Sequence, residues 1–273
     1  MNKLPEKYQT ALKAALKASE AIMQIYKTPF DKEIKADGSP VTVADLTSSK
    51  IITEILSETG IPITGEELTK KPYEARVKWK ESWCVDPLDG TKEFIKKNGE
   101  FVVNIAHIKE GKPVFGIIAS PVAKKVIVGG HAIGKSYLFN FDSVDASNKW
   151  ESLMFLRKVN NPLVIVSSRS HYSGDLLQLV TSIEKKYGVC AAAQMGSALK
   201  FFDLVTGKAD IYPRYAPTME WDIAAGQAIY EVLGGEVLDV TTNKPLTYNK
   251  ENLKNPHFVA RKKTLSFSLS HLD

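Results

Sequence analysis

Between Trp83 and Thr91 the chain passes from a buried-strand pattern, Trp-Cys-Val, straight into Asp86-Pro87-Leu88-Asp89-Gly90-Thr91. Few folds tolerate two carboxylates at the end of a hydrophobic strand. Pro87 restricts the backbone, and Gly90 permits a turn that a side chain would block. The turn can aim Asp86 and Asp89 at one point and leave the Leu88 carbonyl facing it. Oxygen donors with no His or Cys nearby suit a hard cation, Mg²⁺ first. An ordinary turn, its Asp side chains bonded to backbone N–H groups, explains the same residues. An EF-hand does not, because Gly90 as its fixed glycine makes Val85 the first ligand.

Around this motif the chain reads as mixed α/β. Pro5 opens a helix to about Lys27, with Tyr8, Leu12, Ala15, Ile22 and Tyr26 on one face. A second helix is expected from about Val43 to Thr59, and Ile61-Pro-Ile-Thr64 reads as a short strand leading into Gly65-Glu66-Glu67. Residues 68–81 read as loop or short helix. Strands are expected at Trp83–Val85, Phe101–Lys109, Val114–Ser120 and Lys125–Gly130, with a hairpin signal at Glu110-Gly111-Lys112. Residues 140–160 look irregular and mark an expected junction between an α+β half, 1–140, and an α/β half, 160–273. In the second half, strands are expected at Leu163–Ser167 and Ala209–Tyr212. Helices are expected at Asp175–Tyr187, Leu199–Thr206 and Ile223–Leu233, the last closed by Gly234-Gly235.

The chain has 273 residues, 44% hydrophobic and 25% charged, enough for a sizeable core without staples. A net charge of +5 suits an anionic small molecule and is too weak and dispersed for nucleic acid. Cys84 and Cys190 read as small core residues, which fits a reducing cytoplasm. There is no signal-peptide pattern and no apolar run long enough for a transmembrane helix.

Two further carboxylates have ordinary readings. Asp222, in Glu220-Trp-Asp-Ile-Ala-Ala-Gly226, reads as a cap for the following helix, and Asp45 closes a capping box with Thr42. The motifs taken together resemble a family. Asp86-Pro-Leu-Asp-Gly-Thr91, Gly65-Glu-Glu67 before it and Trp221-Asp-x-Ala-Ala225 after it resemble the inositol monophosphatase superfamily. Ser39-Pro-Val-Thr-Val-Ala-Asp45, Asp89-Gly-Thr-Lys-Glu-Phe-Ile95, Asn98-Gly-Glu-Phe101, Ser168-Arg-Ser-His171 and Gly196-Ser-x-Leu-Lys200 resemble its CysQ-type 3′(2′),5′-bisphosphate nucleotidases. The resemblance runs from about residue 5 to 250. Gly65, Gly134-Lys-Ser136 and residues 140–160 depart from it.

The resemblance implies a layered α/β/α/β/α sandwich of the inositol monophosphatase/fructose-1,6-bisphosphatase type. It implies two or three Mg²⁺ ions held by Glu66, Asp86, the Leu88 carbonyl, Asp89 and Asp222. Asp45 and Thr91 would activate the attacking water, with Glu67 supporting the ligands from behind. Gly90, Thr91, His171, Gly196, Ser197, Lys200, Arg214 and Asp222 would contact a small nucleotide bisphosphate, 3′(2′)-phosphoadenosine 5′-phosphate or its sulfated form. For Lys200 and Arg214 the competing reading is a solvated surface charge, and for His171 a loop residue. The alternative substrates are inositol monophosphate or another sugar phosphate. The expected protein is a cytoplasmic monomer or homodimer, and a peripheral place on the inner membrane face stays open.

Overall fold

In the computed structural model, which describes residues 3–36, 38–156, 158–168 and 174–269, two large sheets alternate with three helical layers, beside one two-stranded sheet. Helix α1 (Glu6–Tyr26) is followed by the hairpin β1 (Lys32–Ile34) and β2 (Pro40–Thr42), then α2 (Val43–Ser57). Next come β3 (Ile63–Gly65), α3 (Tyr73–Arg76), β4 (Glu81–Asp89) and α4 (Thr91–Ile95). Strands β5 (Val102–Lys109), β6 (Lys112–Ser120), β7 (Lys125–Gly130), β8 (Lys135–Asn140) and the two-residue β9 (Glu151–Ser152) complete a seven-stranded sheet, ordered β3 to β9. The second half contains β10 (Val164–Ser167), α5 (Asp175–Tyr187), β11 (Ala191–Gln194), α6 (Leu199–Val205) and β12 (Ile211–Arg214). It ends with α7 (Glu220–Val232), β13 (Gly235–Asp239) and β14 (Phe258–Lys262). Its five strands run β11-β10-β12-β14-β13.

Strand periodicity sorts the core. Trp83, Val85, Val103, Ile105, Phe115 and Ile117 point to one face of the large sheet and pack under α1 and α2. Cys84, Val102, Ala106 and Ile118 point to the other and meet Ala224, Ala225 and Ile229 of α7. Gly116 is required there, because a Cβ at that position falls 2.2 Å from the Ala225 carbonyl oxygen. The α6–α7 layer also covers Val166, Tyr212 and Phe258 of the small sheet, whose far face buries Leu176, Leu179 and Ile183 of α5. The expected α/β/α/β/α sandwich is therefore present, and α7 is its shared middle layer.

Several boundaries move for local reasons. β4 runs through Asp86 and Asp89 rather than stopping at Val85. α7 begins three residues before the expected Ile223, so Asp222 lies within its first turn and does not cap it from outside. Strands β8, β11, β13 and β14 go beyond the sequence reading. Cys84 is buried as expected, but Cys190 is only partly covered beside the small sheet, a correction to its reading as core; both thiols are free. Among the described residues no helix is long and apolar enough to cross a membrane.

Candidate active site

In a regular strand, residues three apart face opposite sides. Asp86 and Asp89 escape this because the β4–β5 register shifts between them: Asp86 pairs with Asn104, Asp89 with Val102. A bulge of this kind re-aims side chains. Gly90 then turns the chain at φ 103°, where a Cβ would meet the Glu100 carbonyl oxygen at 2.8 Å. The Ser48 hydroxyl, from α2, donates to the Pro87 carbonyl at 2.6 Å and fixes the turn from below. Gly65 lets β3 close on β4, since a Cβ there lies 2.5 Å from the Val85 carbonyl oxygen, and this brings Glu66 beside the same turn.

Each aspartate of the cluster has one oxygen tied to the protein. Asp86 Oδ1 accepts from Leu88 N at 3.0 Å, and Asp222 Oδ2 from Met219 N at 2.9 Å. Asp89 Oδ2 accepts from Ala198 N at 2.6 Å and Asn104 Nδ2 at 3.3 Å. Among the described residues the other oxygen of each receives no protein hydrogen bond. The turn reading of the sequence is thus half right: the backbone bonds exist, and they use half of each carboxylate.

Electrostatics binds the set together. Loss of water, then the charges of Glu66, Asp89 and Asp222, pushes Asp86 well above the usual carboxylate range. Asp222 is raised the same way, by lost water and then by Asp89. Lost water also raises Glu66 and Asp89, against the favourable pull of Lys35 on Glu66 and of Lys200 on Asp89. A cation is what such a set lacks, and all-oxygen donors fit a hard one. No three His, Cys, Asp or Glu side chains among the described residues are yet gathered to hold an ion. Lys35, which the sequence reading passed over as part of a polar loop, donates to Glu66 Oε1 at 2.8 Å and also to Glu67. Lys70 donates to the Glu66 carbonyl and lies 4.9 Å from the Trp221 ring centre, tying Glu66 to the neighbour of Asp222.

Asp45 does both things its sequence allowed. Its Oδ2 accepts from Thr42 N at 2.8 Å and Thr42 Oγ1 at 2.7 Å, closing the capping box. Its Oδ1 accepts from the Thr91 hydroxyl at 2.8 Å. Burial raises the Asp45 carboxyl, which favours its holding a proton.

A cleft of about 260 Å³ joins the two halves. Asp89, Gly90, Gly196, Ser197, Lys200, Arg214 and Asp222 line it, with Glu93 and Glu100. Asp45, Glu66, Glu67, Asp86, Leu88 and Thr91 are not among its lining residues, and His171 lies outside the described residues. Three of its lining residues have partners within the protein. Lys200 is 3% exposed, so it is no solvated surface charge; its ammonium donates to the Ser197 carbonyl at 2.6 Å and the Met195 carbonyl at 3.2 Å. Burial, then the charge of Arg214 against that of Asp89, lowers it to about 8. The Gly196 amide, expected to meet a phosphate, donates to Glu100 Oε2 at 2.8 Å. Arg214 donates to Ser168 Oγ at 2.6 Å, and its Nε is buried without a partner.

The family model described as the inositol monophosphatase family matches residues 3–268. The chain belongs to that family. A 3′(2′),5′-bisphosphate nucleotidase CysQ of Shigella flexneri is 39% identical over 249 residues, 89% of this chain and 95% of the relative. The crystal structure of CysQ from Bacteroides thetaiotaomicron superposes with a TM-score of 0.81 at 41% identity, covering 93% of this chain and 96% of the other. An inositol monophosphatase of Thermotoga maritima, 18% identical, has a TM-score of 0.71 over 94% of this chain and 92% of its own. At that identity it shows a shared fold alone.

Proposed function

We propose that this chain is a 3′(2′),5′-bisphosphate nucleotidase, which hydrolyses 3′(2′)-phosphoadenosine 5′-phosphate to AMP and inorganic phosphate and accepts the sulfated nucleotide. The observation that carries this is one cleft lined both by the carboxylates Asp89 and Asp222 and by the cations Lys200 and Arg214. A substrate with two anionic groups matches both sets, with the 3′-phosphate on the acidic one.

Glu66, Asp86, Asp89, Asp222 and the Leu88 carbonyl would hold two or three Mg²⁺ ions. So held, Mg²⁺ would neutralise the phosphoryl oxygens, acidify the attacking water and stabilise the leaving ribose oxygen. The chain supplies the proton path. The Thr91 hydroxyl oxygen takes a proton from the water as its own proton moves to Asp45 Oδ1, 2.8 Å away. Threonine alone is a poor base, and the raised Asp45 makes it competent. The water oxygen bonds to phosphorus, the P–O bond to the ribose breaks, the leaving ribose oxygen takes a proton from a solvent water, and Asp45 returns its proton to solvent. Glu67 shares Lys35 with Glu66 and supports that ligand from behind. Arg214 meets the second phosphate with an Nε no protein atom uses. Lys200 braces the 195–197 carbonyls and contributes charge, and Ser197, Gly196 and Gly90 shape the floor.

The test is phosphate release from adenosine 3′,5′-bisphosphate, its sulfated form, inositol 1-phosphate and fructose 1,6-bisphosphate, each with Mg²⁺ and with a chelator. The bisphosphate nucleotides should be preferred and the chelator should abolish release. A preference for inositol 1-phosphate or fructose 1,6-bisphosphate would move the assignment to another branch of the family.

A further inference from the structure

Asn104 belongs to no motif that the sequence singles out, yet it lies in the acidic cluster with its polar atoms only half used. It lies on β5 directly opposite Asp86, and directly paired residues of an antiparallel ladder point to the same face. It is 1% exposed. Its Nδ2 donates to Asp89 Oδ2 at 3.3 Å, while its Oδ1 is buried with no partner. Exchanging the two amide atoms is no remedy, since an ionised Asp89 only accepts and would face an oxygen. A buried acceptor left unpaired costs stability. An apolar residue of similar size would avoid that cost, so a purely structural account leaves the asparagine unexplained.

What Asn104 does is visible at Asp89. One oxygen of that carboxylate receives two donors, Asn104 from the large sheet and Ala198 N from the loop before α6. Two donors on one oxygen restrain the carboxylate and leave Oδ1 without a protein donor among the described residues. We propose that Asn104 is a positioning residue for cation binding. Its Nδ2 sets the orientation of Asp89, and its Oδ1 accepts a hydrogen bond from a water that enters with the cation. This rests on the reading of Asp89 as a metal ligand.

Calorimetric titration of the full chain with Mg²⁺, beside thermal unfolding without metal, tests it. Asn104→Leu should raise the dissociation constant for Mg²⁺ about tenfold to a hundredfold, the range for groups that orient ligands. Its metal-free unfolding temperature should stay level or rise, because an orphaned acceptor is gone. Asn104→Ser, which keeps a shorter donor and acceptor, should fall between Leu and wild type. Wild-type Mg²⁺ affinity in a folded Leu variant overturns the proposal; should Leu not fold, wild-type affinity in the Ser variant does so. A wild-type protein that binds no Mg²⁺ overturns both this and the function above. Binding by wild type with an unaffected variant overturns this inference alone.

Discussion

Strands β4 and β5 carry two buried polar clusters, on opposite faces, and they are built on opposite rules. Under α1, His107 uses both ring nitrogens: Nδ1 lies 3.0 Å from the Tyr8 hydroxyl and Nε2 2.8 Å from Glu81 Oε2, which also accepts from Lys7 at 3.2 Å. Burial, then the charge of Lys7, lowers this imidazole to about 4, so it is neutral, accepting from Tyr8 and donating to Glu81. Facing α7, Asn104 leaves its Oδ1 buried without a partner, and the charges of Glu66, Asp89 and Asp222 crowd Asp86. A satisfied network stabilises; an unsatisfied one of one sign waits for a ligand. The difference sets a satisfied cluster apart from one that is proposed to work, without reference to any relative.

The largest test of that contrast is Asp86→Asn. Activity should fall at least about a hundredfold, since outer groups that merely orient ligands already cost that much. The metal-free protein should gain stability, by about 0.5–2 kcal/mol, because repulsion with Glu66, Asp89 and Asp222 is relieved. Urea unfolding with a chelator and an activity assay read the two signs; a destabilised Asp86→Asn would break the comparison.

Next in size are the cleft's cations. Arg214→Ala should cost about 1.5–3 kcal/mol, roughly tenfold to a hundredfold in kcat/KM, for a bisphosphate nucleotide and little for a substrate with one phosphate. Equal losses on both would mean that Arg214 supports the fold through Ser168 and Pro217.

The structural cluster should behave in reverse. His107→Phe leaves the Tyr8 hydroxyl without its acceptor and should cost about 1–3 kcal/mol with kcat unchanged. In the folded state this imidazole titrates near 4, below its ordinary 6.5, so the unfolded chain binds its proton first. Its contribution is complete above pH 6.5 and is lost as the pH falls toward about 4. Wild-type stability should therefore drop faster than that of His107→Phe between these values. Parallel slopes in urea unfolding would refute the pairing.

Local chemistry made much of this molecule legible. The 3.6-residue apolar spacing of α1 and of Asp175–Tyr187, the turn residues at Glu110-Gly111 and the strand run into Asp86 all act over a few residues, and each element formed as its sequence asks. Asp45 and Asp222 could be read as caps and also as site residues, and sequence alone could not exclude either, since a carboxylate has two oxygens and each can serve a different partner. What only the tertiary structure decided lies where partners are distant in sequence. Lys200, read as a substrate contact or a surface charge, is buried against the carbonyls of Met195 and Ser197, and Glu100, from the other half, takes the Gly196 amide. Strand β14 was invisible because Phe-Val-Ala-Arg-Lys ends in two cations, and no local rule predicts burying them. Asp210, 52 residues away in sequence, meets Lys262 at 2.5 Å, and Glu236 meets Arg261 at 2.7 Å. A buried charge is tolerated only beside its counter-charge, and where that counter-charge sits is a property of the fold.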